Sequence, residues 1–146
     1  MSEKQLKGRI ALVTGASRGY GAGIAQALAA EGAMVWLAAR SKKELTVVAE
    51  AVEGRPVVAD VTSGADWDRV FQTVQAESGR LDILVNNAGA VFGVGPLAQT
   101  SDAQIERNLT VNLTGTILGC SRAAKLMTVQ KSGTIVNVAS VCAVQA

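Results

Sequence analysis

The chain has 146 residues, 49% of them hydrophobic and 18% charged, with a net charge of +2, the make-up of an ordinary globular chain with a sizeable core. So small a charge, without a basic stripe, argues against nucleic acid or a membrane surface as partner, and no apolar run reaches membrane-spanning length. Histidine is absent, which removes the commonest general base and metal ligand, excludes Ser-His-Asp hydrolysis and leaves no metal site to expect.

The polar start Met1-Ser2-Glu3-Lys4-Gln5 has no apolar signal region, so a cytoplasmic protein is expected. The first strand is predicted at Ile10–Thr14. It runs into Thr14-Gly15-Ala16-Ser17-Arg18-Gly19-Tyr20-Gly21 and then an alanine-rich helix, Ala22 to Ala30. A strand, a glycine turn and a helix start form a phosphate cradle. Glycine leaves no Cβ in a ligand's way, and the helix N-terminus offers unpaired N–H groups and a positive dipole end. The spacing here is G-x-x-x-G-x-G rather than the general dinucleotide pattern G-x-G-x-x-G. Further strands are predicted at Ala33–Ala39, Arg55–Ala59, Asp82–Val85 and Thr134–Ala139, each short and apolar.

Helical patterns fill the gaps. Ser41-Lys42-Lys43-Glu44 reads as a capping box, followed by Leu45, Val48, Ala49 and Val52 on one face and Gly54 as the stop. Trp67, Val70, Phe71 and Val74 make a third stripe, ended by Gly79. Ser101-Asp102-Ala103-Gln104 caps a long helix predicted to reach about Gln130. Cys120 and Cys142 are too scattered for a disulfide framework and read as small buried hydrophobes in a reducing compartment. Two glycosylation sequons, at Asn108 and Asn112, read as chance in a chain without a secretory signal.

Strands alternating with helices predict an α/β fold, a Rossmann-type doubly wound parallel sheet of order 3-2-1-4-5. Ligands bind such sheets at the carboxyl ends of the strands. That rule gathers the glycine loop, Arg40-Ser41, Asp60-Val61-Thr62, Asn86-Asn87-Ala88-Gly89 and Ser140 at one crevice. Asp60 is either the N-cap of the next helix or a ligand carboxylate that accepts from an adenine amino group. Asn86 and Asn87 either make the turn or hold neighbouring strand ends together. Gly89 is either turn chemistry or a close approach to a ribose.

Thr14-x-x-x-x-Gly19-x-Gly21, Asp60, Asn86-Asn87-Ala88-Gly89, Asn112 and Ser140 together resemble the short-chain dehydrogenase/reductase family, in order and context. The resemblance covers essentially the whole chain but only the first part of the family's usual domain, so the sheet is expected to be C-terminally incomplete. It implies that Gly15, Ser17, Arg18, Gly19, Tyr20 and Gly21 hold the cofactor diphosphate and ribose. It also implies that Asp60, with Val61, meets the adenine, and that Asn86 and Gly89 serve as cofactor and scaffold positions. Asn112 resembles the asparagine that holds a water in a proton relay. Its alternative is a kink or a side-chain-to-backbone bond in the long helix. Ser140 resembles the serine that bonds the substrate carbonyl or hydroxyl. Tyr20 departs from the family pattern, where an aliphatic residue is usual; its ring is expected to pack beneath the nicotinamide or to narrow the pocket.

NAD-binding folds place an acid at the end of strand 2 for the ribose 2′-hydroxyl. Here that place reads Ala38-Ala39-Arg40-Ser41. Arg40 and Arg18 suit a 2′-phosphate instead, so NADP is expected over NAD. The family's acid is a tyrosine paired with a lysine as Tyr-x-x-x-Lys, on the helix after the serine strand. Tyr20 is the sole tyrosine, and no lysine follows Lys131. These residues therefore read as the cofactor half of an NADP-dependent oxidoreductase acting on a small carbonyl or alcohol substrate, inactive alone. The alternative is a stand-alone dinucleotide-binding or structural domain without turnover. An exposed apolar stripe on the long helix, drawn from Ile117, Leu118, Leu126 and Met127, predicts self-association into a homo-oligomer.

Overall fold

The computed structural model describes residues 4–140. Among the described residues, five parallel strands form one sheet: β1 Ile10–Thr14, β2 Met34–Ala39, β3 Arg55–Val58, β4 Ile83–Asn86 and β5 Thr134–Asn137. Their order is β3-β2-β1-β4-β5. The order reverses between β1 and β4, where Leu12 pairs with Leu84 and Val13 with Val85. The helices are α1 Gly19–Ala30, α2 Lys42–Ala51, α3 Gly64–Ser78, α4 Asp102–Leu109 and α5 Gly115–Gln130.

The pleat sends alternate strand residues to opposite faces, and both faces are covered. Ala11, Val13, Val35 and Leu37 pack with Ala25 of α1 and with Leu45 and Ala49 of α2. Leu12, Trp36, Ala38 and Leu84 pack with Trp67, Val70 and Val74 of α3 and with Ala123 and Met127 of α5. Such double cover explains why β1 and β2 are continuous apolar runs rather than alternating ones. This is the Rossmann-type sheet that the strand–helix alternation implied.

Several local expectations shift. β2 starts at Met34, β3 ends at Val58, and β5 ends at Asn137. Gly54 is not the left-handed stop of α2; Glu53 takes that conformation, at φ 52°. Gly54 instead packs tightly, since a Cβ there would lie 2.8 Å from the Val35 carbonyl oxygen. Gly79 does end α3 in the left-handed region, at φ 71°. The expected single helix after Ser101 is split by a π-helical stretch, Thr110–Thr114, between α4 and α5.

The apolar stripe is also differently composed. Met127 is buried and Leu118 and Leu126 are partly buried in the core. The exposed large apolar residues of this segment include Ile105, Leu109, Leu113 and Ile117, four apart and so roughly along one side. Cys120 is half-buried, while Cys142 lies outside the described residues. No helix among the described residues is long and apolar enough to cross a membrane.

Candidate functional site

The carboxyl ends of β1, β2 and β3 and the loop after β4 enclose a cleft of about 690 Å³. Gly15, Ser17, Arg18, Gly19, Tyr20 and Gly21 line it, and so do Arg40, Asp60, Val61 and Gly89. Gly21 marks the tightest point of the loop: a Cβ there would overlap the Gly15 carbonyl oxygen and reach within 2.5 Å of Asn87 Nδ2. Gly19 combines a left-handed φ of 57° with open space, nothing lying within 4 Å of a Cβ built on it. One glycine thus lets the loop close on the β4 turn, and the other keeps the helix start accessible.

The helix starts divide by position. α1 begins after Arg18, and α2 after Ser41, with no side-chain cap. The expected capping box at Ser41–Glu44 is therefore not formed. α3, by contrast, is capped by Ser63, which accepts from the Asp66 N–H. α4 has the full Ser101–Gln104 capping box. Arg18 and Ser41 both line the cleft. The orphan N–H groups and positive dipole ends of α1 and α2 therefore lie where an anionic group would be held.

Hydrogen bonds fix the strand ends around this opening. Thr14 Oγ1 accepts from the N–H groups of Asn87 and Ala88, each at 3.0 Å. Asn87 Nδ2 donates to the Thr14 carbonyl at 2.9 Å. These bonds tie β1 to the β4 turn and so shape the switch point. Asn86 is buried and is not among the lining residues. Its Nδ2 donates to Asn137 Oδ1 at 2.9 Å, pinning β4 to β5. Holding strand ends together is thus what both asparagines do.

Asp60 does not cap α3. Its Oδ1 accepts from the Thr62 N–H at 2.9 Å and from the Thr62 hydroxyl at 2.8 Å, an Asx turn. Its own N–H donates to Asp66 Oδ2 at 2.8 Å. That bond leads the effects holding the Asp66 carboxyl below its ordinary value, with Arg69 adding to it and partial burial opposing. Asp66 thus stays an anion that anchors the Asp60 turn in the cleft wall.

Arg18 and Arg40 are exposed, and neither forms an ion pair among the described residues. Tyr20 is 87% exposed on the glycine loop. Asn112 lies in the π-helical stretch. Its Oδ1 accepts from the Ala90 N–H at 2.9 Å and its Nδ2 donates to the Ala90 carbonyl at 2.7 Å. The side-chain-to-backbone bonds of Asn112 are therefore made to a loop and not within the long helix, as the alternative had it. The Asn112 carbonyl accepts from the Thr116 hydroxyl at 2.9 Å. Ser140 is exposed beyond the end of β5 and is not among the lining residues.

Glu44, Ala90, Phe92 and Val111 also line the cleft and were missed from sequence. Glu44 has the spacing of a capping-box residue, which hides that it follows the strand-2 end by one helical turn. Ala90 and Phe92 follow the Asn-Asn-Ala-Gly turn without a motif of their own.

The model of the short chain dehydrogenase family matches residues 9–146. Galactitol 2-dehydrogenase of Agrobacterium fabrum strain C58 is 39% identical over 139 residues, covering 93% of this chain and 54% of that protein. The chain thus spans about half the length of the curated relatives it matches. The crystal structure of NAD+-bound xylitol dehydrogenase superposes with a TM-score of 0.94 at 31% identity, covering 97% of this chain and 56% of the other. A metagenomic short-chain oxidoreductase in complex with NADP superposes with a TM-score of 0.87 at 36% identity, covering 93% and 64%. A Rossmann-type sheet, a glycine loop opening on an uncapped helix and a family match over nearly the whole length agree: the chain belongs to the short-chain dehydrogenase family.

Proposed function

We propose that residues 1–146 form the NADP-binding domain of an oxidoreductase that interconverts a small carbonyl compound and its alcohol. One observation carries the cofactor choice. Arg18 on the glycine loop and Arg40 after β2 line the same cleft, and β2 ends in Ala38 and Ala39 with no carboxylate. Two guanidiniums suit a 2′-phosphate, whose charge and oxygens they match. Glu44, which shares that wall with the carboxylate of Asp60, opposes the same phosphate, so the arginines must outweigh it.

In this reading the loop Gly15–Gly21 and the start of α1 hold the diphosphate and ribose, and Asp60 and Val61 bound the adenine. Gly89, where a Cβ would lie 3.1 Å from Asn112 Oδ1, is assigned to a close approach of the β4 turn to the ribose, and Asn86 keeps β4 and β5 in place. When bound, the nicotinamide supplies or accepts the hydride. Ser140 is assigned to hold the substrate oxygen. Asn112 is assigned to the proton relay through its backbone carbonyl, which would share a water with the Thr116 hydroxyl already bonded to it, because both ends of its side chain are engaged by Ala90. The 146 residues contain no Tyr-x-x-x-Lys pair, and we assign them binding without turnover. A cytoplasmic setting fits the composition. The exposed side formed by Ile105, Leu109, Leu113 and Ile117 supports a homo-oligomer.

The test isolates the 2′-phosphate. Calorimetric titration with 2′,5′-ADP and with 5′-ADP is expected to favour 2′,5′-ADP by about tenfold or more, the worth of one charge-assisted contact. Equal affinity, or preference for 5′-ADP, would overturn the NADP assignment.

A further inference from the structure

Asn108 makes the same kind of contact as Asn112. Its Oδ1 accepts from the Phe92 N–H at 3.1 Å, and its Nδ2 donates to the Phe92 carbonyl at 2.8 Å. Asn112 engages Ala90 in the same two-bond manner. The two carboxamides are four residues apart, about 6 Å along a helix. Their targets are two residues apart, about 6.6 Å in extended chain. The helix therefore reads the loop as a neighbouring strand would, with side-chain amides replacing a backbone ladder. The grip extends further. Asn108 Nδ2 also donates to the Gln104 carbonyl at 2.8 Å. The Gln104 side chain lies against Gly93, where a Cβ would come within 2.7 Å of Nε2. Arg107 covers the Phe92 ring with its guanidinium 4.1 Å from the centroid.

We propose that Asn108 is a positioning residue that holds Phe92 in the wall of the cofactor cleft. The inference rests on the cofactor reading above. Arg40, Glu44 and Asp60 occupy the β2–β3 side of the cleft, and Ala90, Phe92 and Val111 the other side. A dinucleotide laid across the switch point with its adenosine at the β2–β3 side brings its nicotinamide half to Phe92. Asn108 touches no cofactor in this arrangement; it acts through the loop it clamps.

That placement predicts a split between ligands. Asn108→Ala removes both bonds to Phe92. Asn108→Asp, one atom different, keeps the acceptor for the Phe92 N–H and loses the donor. Both variants are expected to bind NADPH about tenfold more weakly, while 2′,5′-ADP, which carries only the adenosine half, binds within about twofold of the wild type. Calorimetry of the full chain with the two ligands reads this directly. Unchanged NADPH affinity in both variants would overturn the proposal. So would equal weakening for the two ligands, the mark of a general loss of structure. Wild-type protein that binds neither ligand would overturn the cofactor reading and the positioning role with it. Wild-type protein that binds both ligands, with variants that show no split, would overturn the positioning role alone.

Discussion

The two edges of the sheet are built on opposite principles. At the edge where β4 begins, polar groups are matched. Asp82 is buried at 4% exposure, accepts from the Ile10 N–H at 2.9 Å, and is bonded by Arg9 and Arg80. Its carbonyl accepts from Thr134 at 2.8 Å, and Gln130 bonds both backbone groups of Leu81. At the edge where the strands end, two helices begin without side-chain caps and a cleft stands open. The first edge matches its groups throughout; at the second α3 and α4 are capped and only the starts of α1 and α2 leave donors beside the cleft, which marks the first for stability and that corner of the second for a ligand. This division agrees with the rule that parallel sheets bind at their carboxyl ends.

The largest expected effect breaks the matched edge. Asp82→Ala strips the Ile10 N–H of its partner and separates two arginines from their shared anion. Both arginines are about half exposed and regain water, so the loss should be about 3 kcal/mol rather than the upper range for a buried pair. Chemical denaturation followed by the buried Trp36 and Trp67 measures it. The same residue sets an acid limit. Burial pushes the Asp82 carboxyl up, but the bonds from Ile10, Arg80 and Arg9 outweigh it and hold the group below its ordinary value. A lowered folded value means that its contribution is complete above about pH 4 and is lost as the pH falls through that lowered value. Urea midpoints measured from neutral to acid pH should fall in the wild type and stay flatter in Asp82→Ala.

At the open edge, Gly21→Val drives a side chain into the Gly15 carbonyl and Asn87. Overpacking of this kind costs about 1–3 kcal/mol, and NADPH binding should disappear from protein that remains folded by circular dichroism. Retained binding would show that the loop is packing rather than cradle.

The caps sharpen a smaller contrast within the open edge, between a helix start beside the cleft and one away from it. Ser101→Ala should cost about 1 kcal/mol by losing a formed capping box, whereas Ser41→Ala, which loses no cap bond, should cost a few tenths at most. Equal melting shifts would erase the distinction between capped and uncapped helix starts. The smallest effect is expected from Glu44→Gln. Removing a carboxylate from the β2–β3 wall should tighten NADPH by about threefold at low salt, and less at high salt.

Much of this division was legible in the sequence, and the reasons are physical. Apolar runs bounded by glycines located β1 and β2 because double burial leaves no ambiguity in them. The glycine loop, Arg40, Asp60 and Gly89 could be gathered because strand ends of a parallel sheet converge. What stayed hidden depends on side-chain geometry. Ser41 and Glu44 have the spacing of a capping box, yet the bond is not made, and only coordinates tell a formed cap from an open one. The π-helical stretch at Thr110–Thr114 has no composition of its own. Asn108 looked incidental because its partner, Phe92, lies sixteen residues earlier in a loop without periodicity.

The open edge is assigned to NADP, and one titration tests that most directly: NADPH and NADH, each against wild type and against the Arg18→Ala/Arg40→Ala double variant. NADPH is expected to bind the wild type at least tenfold more tightly than NADH, and the double variant should lose most of that preference, as expected when charge-assisted contacts to one phosphate are removed. NADH binding as tight as NADPH in the wild type, or a preference that survives loss of both arginines, would contradict the account.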